Sequence, residues 1–243
     1  MHLHLNLSGD LTGDMFIAAV LDAFPRFEQR VIAAIDALDA PYPVVCSLIA
    51  HSSDEMSGHR FEIEPFVKYF GHIPLAFPQE PARWESVRER LNAAQVGPDV
   101  RMHAIKIFEL MVSAEASALH IVPERVVFEA GAWNSLAQVV GAAALIDVLD
   151  SAQWSVSGFP SGGAVSLTGA AIVDYLCPPH SRGRPLPKAR SRVRSGTGFG
   201  WLSSHHNCTR LLYFEVDEDA FLERDATLAQ TRAARRPDPR PPQ

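Results

Sequence analysis

Apolar and polar residues alternate in His2-Leu3-His4-Leu5-Asn6-Leu7, and this period of two predicts an opening strand. The period then changes. Phe16, Ile17, Val20, Leu21 and Phe24 recur at helical spacing, so a first helix is expected over about 14–24, ending at Phe24-Pro25. A second helix is expected from about 27 to 38, with Val31, Ile32 and Ile35 on one face and Pro41 and Pro43 closing it. Two β-like runs follow, 43–51 and 58–66, joined by the polar SSDEMSG. In the second run His59, Phe61, Ile63 and Pro65 alternate with Arg60, Glu62 and Glu64, which predicts a hairpin. The order β-α-α-β-β indicates an α+β fold rather than a series of βαβ crossovers.

Residues 67–81, with Pro74, Pro78 and Pro81, read as a connection. Two helices come next, about 82–94 and 98–119. The second is long and amphipathic through Ile105, Phe108, Leu110, Met111, Ala114 and Ala118, and its far end carries Glu115 and His120. A short strand over 125–129, a turn at Gly131 and a largely apolar helix over 135–149 are expected after it. The Gly- and Ser-rich SVSGFPSGGAVSLTG reads as loop leading to a short helix over 170–176, which Pro178 stops. Seven Lys, Arg and His residues between 179 and 194, among prolines and a glycine, suggest an exposed basic segment. A strand is expected over 211–216. The Arg/Pro-rich stretch 226–243 has little to bury and is expected to be disordered. The expected fold class is α+β, a mixed sheet with several packed helices.

A chain of 243 residues with 47% hydrophobic and 21% charged residues can bury a sizeable core. A net charge of −6 argues against general nucleic-acid binding. Cys46, Cys177 and Cys208 are odd in number and widely spaced, which favours reduced, buried thiols over a disulfide framework or zinc ribbon. His2, His4, Asn6 and Asp10 interrupt the N-terminal apolar pattern, arguing against a signal peptide, and the run Val139–Ile146 is too short to span a bilayer. A cytoplasmic protein without membrane partners is expected, and a homo-oligomer.

Chemistry concentrates first in Ser8–Phe16, where the strand turns through Gly9 and Gly13 into the helix. Gly9 and Gly13 permit close approach to the backbone, and Asp14 is placed to cap the helix. Free amides at a helix N-terminus can hold an anion, and Asp10 and Asp14 can hold a cation. Neither a P-loop nor GxGxxG spacing is present. His2 and His4 share a strand face and can approach a common metal, but the solvent-facing side of an edge strand is the preferred reading. His205-His206 with Cys208 offers nitrogen and sulfur donors in a segment expected to be a turn.

Five segments in order resemble the LarC family. They are Asn6-x-x-Gly9 through Leu11-Thr12-Gly13-Asp14-Met15-Phe16; Ala114-Glu115-Ala116 with His120; Val127-Phe128-Glu129-Ala130-Gly131-Ala132 leading to Ser135; Leu167-Thr168-Gly169-Ala170-Ala171-Ile172; and Gly196-Thr197-Gly198 before Asn207-x-x-Arg210-Leu211. The resemblance covers about residues 1–217. It divides the chain into a LarC-like core over 1–150, a shortened continuation over 151–225 and the tail over 226–243. It implies nickel insertion into the pyridinium-3,5-bisthiocarboxylate mononucleotide, the precursor of the nickel-pincer cofactor. CTP and a divalent ion are implied only if a separate polypeptide supplies the family's C-terminal module. By resemblance Gly9, Gly13 and Asp14 would bind the cofactor precursor, and Glu129, His120 and Glu115 the nickel; no catalytic residue is assigned. The chain departs from the family in carrying Val126 and Phe128 where that family has two histidines. A non-catalytic homologue that binds a metal, cofactor or partner is the other reading.

Overall fold

A computed structural model describes residues 1–7, 11–40, 43–52, 56–65, 81–128, 132–158, 165–179, 192–200 and 208–215. Gly9, Glu129, His205, His206 and the stretch 226–243 lie outside the described residues. The chain runs β1 (His2–Leu7), α1 (Gly13–Ala23), a 3-10 turn at Pro25–Phe27, α2 (Glu28–Asp36), β2 (Val44–Ser52) and β3 (Ser57–Pro65). It continues as β4 (Ala82–Arg83), α3 (Trp84–Ala93), α4 (Pro98–Leu119), β5 (Val127–Phe128) and α5 (Ala132–Val148). Then come β6 (Gln153–Val156), α6 (Leu167–Leu176), β7 (Arg192–Phe199) and β8 (Cys208–Phe214). The fold is α+β, with a six-stranded mixed sheet in the order β2-β3-β7-β8-β1-β6 and a two-stranded β4-β5 pair. β1 runs parallel to β6 and β3 parallel to β7, and the remaining pairs are antiparallel.

Three readings of the sequence are corrected. β1 is an interior strand between β8 and β6, not an edge; its second partner is four residues long and flanked by serines and glycines, so it read as loop. The last residues of the basic run enter β7, whose Arg192–Phe199 pair with β8 although the stretch lacks an apolar alternation. The helix expected at 82 begins at Trp84, because Ala82 and Arg83 pair with β5 instead.

Register divides the sheet's two faces. Gly196 and Gly198 on β7 lie opposite Leu211 and Thr209 on β8, which in turn lie opposite Leu5 and Leu7 on β1. This is the face that α1 covers, and the contact is backbone to backbone. A Cβ on Gly198 would sit 2.0 Å from the Met15 carbonyl oxygen, and one on Gly196 would sit 2.1 Å from that of Ala19. The Gly196-Thr197-Gly198 segment is therefore a seat for α1. Phe16 against Trp154 (6.0 Å between ring centres) and Phe24 against Tyr213 (5.7 Å) complete that layer.

β3 and β7 share a single ladder position, His59 opposite Gly198. Asp22 of α1 bridges the gap: Oδ1 lies 2.6 Å from His59 Nδ1, and Oδ2 accepts the Thr197 amide at 2.8 Å. Asp22→Ala is expected to cost about 2 kcal/mol, because a partly buried amide and imidazole lose their acceptor. A lower urea midpoint at unchanged slope would report it.

α5 is apolar nearly all round, as a helix must be when it packs on α1, α2, α4 and α6 together. Beside it Phe108 of α4 stacks on Trp84 (5.9 Å) and takes the edge of Phe128 (5.8 Å). No described helix is long and apolar enough to cross a membrane.

Candidate functional site

The glycine turn after β1 is fastened to the start of α6. Leu11 forms a parallel bridge with Val165, and its carbonyl accepts the Ser166 amide at 2.9 Å. Ser166 caps α6, its hydroxyl accepting the Gly169 amide at 3.0 Å. Removing that cap by Ser166→Ala is expected to cost about 1 kcal/mol, read from urea unfolding. Packing here is close: a Cβ on Gly169 would meet the Leu11 oxygen at 2.3 Å, and one on Gly13 would meet Gln138 Cβ at 2.8 Å and Thr168 Cγ2 at 3.0 Å. The first turns of α1 and α6 and the second turn of α5 thus converge on Leu11–Asp14.

α1 begins at Gly13 with Thr12 as its N-cap, and Thr12 makes no side-chain cap bond. Asp14 lies in the first turn and is not the cap, which corrects the sequence reading. Burial raises its pKa, opposed by the Thr12 hydroxyl and by the amides of Asp14 and Met15. Asp14 Oδ1 and Thr12 Oγ1 are both inaccessible to water and make no well-formed hydrogen bond among the described residues; the Thr12 hydroxyl is near enough to the carboxyl to favour its charged form without a bond of good geometry. A buried carboxyl oxygen without a well-formed bond, on a group whose pKa burial raises, is an acceptor that a cation or a strong donor satisfies.

Glu115 is partly buried near the end of α4. His120 is exposed and terminates that helix in the left-handed region, φ 54° and ψ 42°, its amide donating to the last carbonyls. Val126 and Phe128 are interior: Val126 is fully buried and Phe128 packs on Phe108. Among the described residues no three His, Cys, Asp or Glu side chains lie close enough to share a metal ion, so Asp14, Glu115 and His120 do not form such a group. Cys46 and Cys208 offer no ready thiolate. Burial, followed by Asp36, pushes Cys46 up to about 12, and burial raises Cys208. A cleft of about 340 Å³ lies between α2, α4 and α5, crossed by the Arg30–Asp147 ion pair, and is lined by none of the residues expected to act.

The interior position of β1 changes the status of His2 and His4. Each is 8% exposed, and their rings converge on one atom: Ser155 Oγ lies 2.7 Å from His2 Nε2 and 2.8 Å from His4 Nδ1. The His-x-His spacing was the available signal, but Ser155 falls in a stretch that read as loop.

The family described as nickel insertion protein matches residues 3–167. The pyridinium-3,5-bisthiocarboxylic acid mononucleotide nickel insertion protein of Nocardioides sp. is 29% identical over 207 residues, 84% of this chain and 47% of the relative. A Thermomicrobium roseum protein, provisionally designated a nickel insertion protein, is 31% identical over 134 residues, 54% of this chain and 30% of the relative. The chain thus spans half or less of the length of these curated relatives. No solved structure matches it.

Proposed function

Because the chain belongs to the nickel insertion protein family, we propose that it takes part in delivering nickel to the pyridinium-3,5-bisthiocarboxylic acid mononucleotide, the substrate in the name of its Nocardioides relative. The match over residues 3–167 carries this reading, since it includes the glycine turn, α4 and β5. Nickel is the cargo, and the chain's part is to hold it without trapping it.

In this proposal the Gly9–Gly13 backbone and the α1 N-terminus receive the mononucleotide's phosphate, as amides at a helix start suit an anion. Asp14 is an oxygen ligand or organiser for the cation: its desolvated carboxyl gains most from an incoming positive charge. Glu115, His120 and Glu129 are further candidate donors for the cargo, engaged apart from Asp14, since Asp14, Glu115 and His120 do not come together as one three-ligand group. The interior packing of Val126 and Phe128 supports assigning nickel to these groups. CTP with a divalent ion belongs to the reaction only where another polypeptide provides the rest of the family's length. A cytoplasmic site of action and a homo-oligomer belong to the same proposal.

The test incubates the purified chain with nickel and the organic ligand, alone and with the complementary half of a longer relative plus CTP and magnesium. Nickelated ligand detected by mass spectrometry, dependent on this chain, is the expected result. None in either mixture would overturn the reading. His120→Gly separates a cap from a ligand: releasing a left-handed, side-chain-bearing residue is expected to stabilise the fold by up to about 1 kcal/mol in thermal unfolding. Delivery falls in the same variant if the imidazole is a ligand.

A further inference from the structure

The geometry points to a second metal site, formed by His2 and His4 with the Ser155 hydroxyl between them, for one late first-row divalent cation. Its location is independent of the Asp14 junction. His4 lies opposite Ser155 on β6 and Leu212 on β8, in the register that faces away from α1. The site binds the ion by itself, apart from any insertion step.

Three features carry the assignment. First, the rings are held in place: β1 is hydrogen-bonded to strands on both sides, so the two Cα positions are fixed. Second, both ring nitrogens are directed at one oxygen at 2.7 and 2.8 Å. Imidazole nitrogens bind such ions at about 2.0–2.1 Å, so a shift of under about 1 Å, with the Ser155 side chain turning, brings both to a common cation. Third, both rings are buried, each 8% exposed, so little water competes for the two nitrogens that face Ser155. The hydroxyl has a single proton, so it donates to one ring and accepts N–H from the other; His2 Nδ1, on the far side of its ring, takes no part in the site.

The donor set also selects the ion. Two imidazoles and a hydroxyl suit nickel, copper or zinc and disfavour magnesium or calcium, which prefer carboxylates and water. Burial, and for His2 also the neighbouring His4, lowers both ring pKa values, His2 to about 4, so the nitrogens are neutral and ready to coordinate near pH 7. No third His, Cys, Asp or Glu side chain joins the pair among the described residues. The cation's charge is therefore not neutralised by ligands, which makes for exchangeable binding instead of permanent retention.

The test uses the full chain stripped of metal and titrated with Ni²⁺ in competition with a chromophoric chelator. One equivalent bound, displaced by Zn²⁺ and not by excess Mg²⁺, and lost in His2→Gln/His4→Gln with unchanged circular dichroism, is the expected result. An equivalent that persists in the double variant overturns the proposal. Should that variant not fold, imidazole ¹⁵N spectra of the unmodified chain decide it. His2 and His4 ring nitrogens shifting together, complete at one equivalent of Zn²⁺, support the site; unmoved resonances refute it.

Discussion

Gly198→Ala is expected to cost about 3 kcal/mol or more, the largest loss anticipated from adding one methyl group to this chain. The new Cβ would stand 2.0 Å from the Met15 carbonyl oxygen, 2.7 Å from the Ala19 amide nitrogen and 2.9 Å from the Met15 carbonyl carbon. All three are main-chain atoms of a helix, so no rotamer change relieves the overlap. Relief requires α1 to lift from β7 or β7 to leave its ladder with β8. Either movement breaks the Asp22 bridge to Thr197 and His59. Gly196→Ala should behave alike, with its Cβ 2.1 Å from the Ala19 oxygen and 2.6 Å from the Ala23 amide nitrogen. Gly158→Ala is the control: among the described residues, its chain neighbours aside, no atom lies within 4 Å of its Cβ position, and it should stay within about 0.5 kcal/mol of the parent. Urea unfolding of the three variants checks the ordering, and a Gly198→Ala midpoint equal to that of Gly158→Ala would refute the close seat. The loss is a sizeable share of the roughly 5–15 kcal/mol that holds a typical domain together. Because α1 begins at Gly13, within the Leu11–Asp14 junction, a lifted helix also disturbs the contact with α6.

Much of this arrangement was legible in the chain. The β1-to-α1 switch of period, the hairpin alternation around Phe61 and the apolar run of α5 each follow from burial on one face, or on all faces, of an element. β6 and β7 were not legible, for a physical reason. Gln153–Val156 is stabilised by its position beside β1, and Arg192–Phe199 by its pairing with β8 and its seat under α1; neither has a pattern of its own to announce that. The site was readable to the same depth. Gly9 and Gly13 signalled close approach, whereas the main-chain contacts at Gly169, Gly196 and Gly198 emerge only from the coordinates. The replacement of two family histidines by Val126 and Phe128 was visible as residue type, and their interior packing explains why apolar side chains are accommodated there. The His2–Ser155–His4 convergence joins residues more than 150 positions apart, beyond any local pattern.

Asp14→Asn should move stability and function in opposite directions. Asparagine keeps the size of the side chain and removes the charge that burial penalises, so at neutral pH the variant is expected to gain about 1–2 kcal/mol. The pH dependence gives the sign independently. A carboxyl whose pKa is raised on folding binds its proton more tightly in the folded state than in the unfolded one. Stability therefore falls as pH rises from the ordinary value of 3.8 through the raised value, and that component is constant above it. In Asp14→Asn the component vanishes, so urea midpoints measured across this window should fall less steeply than those of the parent. The same substitution removes the carboxylate proposed to receive nickel, and delivery to the organic ligand should drop at least about tenfold, the scale on which a single ligand or its support usually counts. A destabilised variant that still delivers nickel would make Asp14 a fixture of the α1 N-terminus, whose charge the amides of Asp14 and Met15 favour. A stabilised variant that fails to deliver is what a site holding strain for the sake of its cargo requires, since the free energy withheld from the empty junction is what the arriving cation recovers.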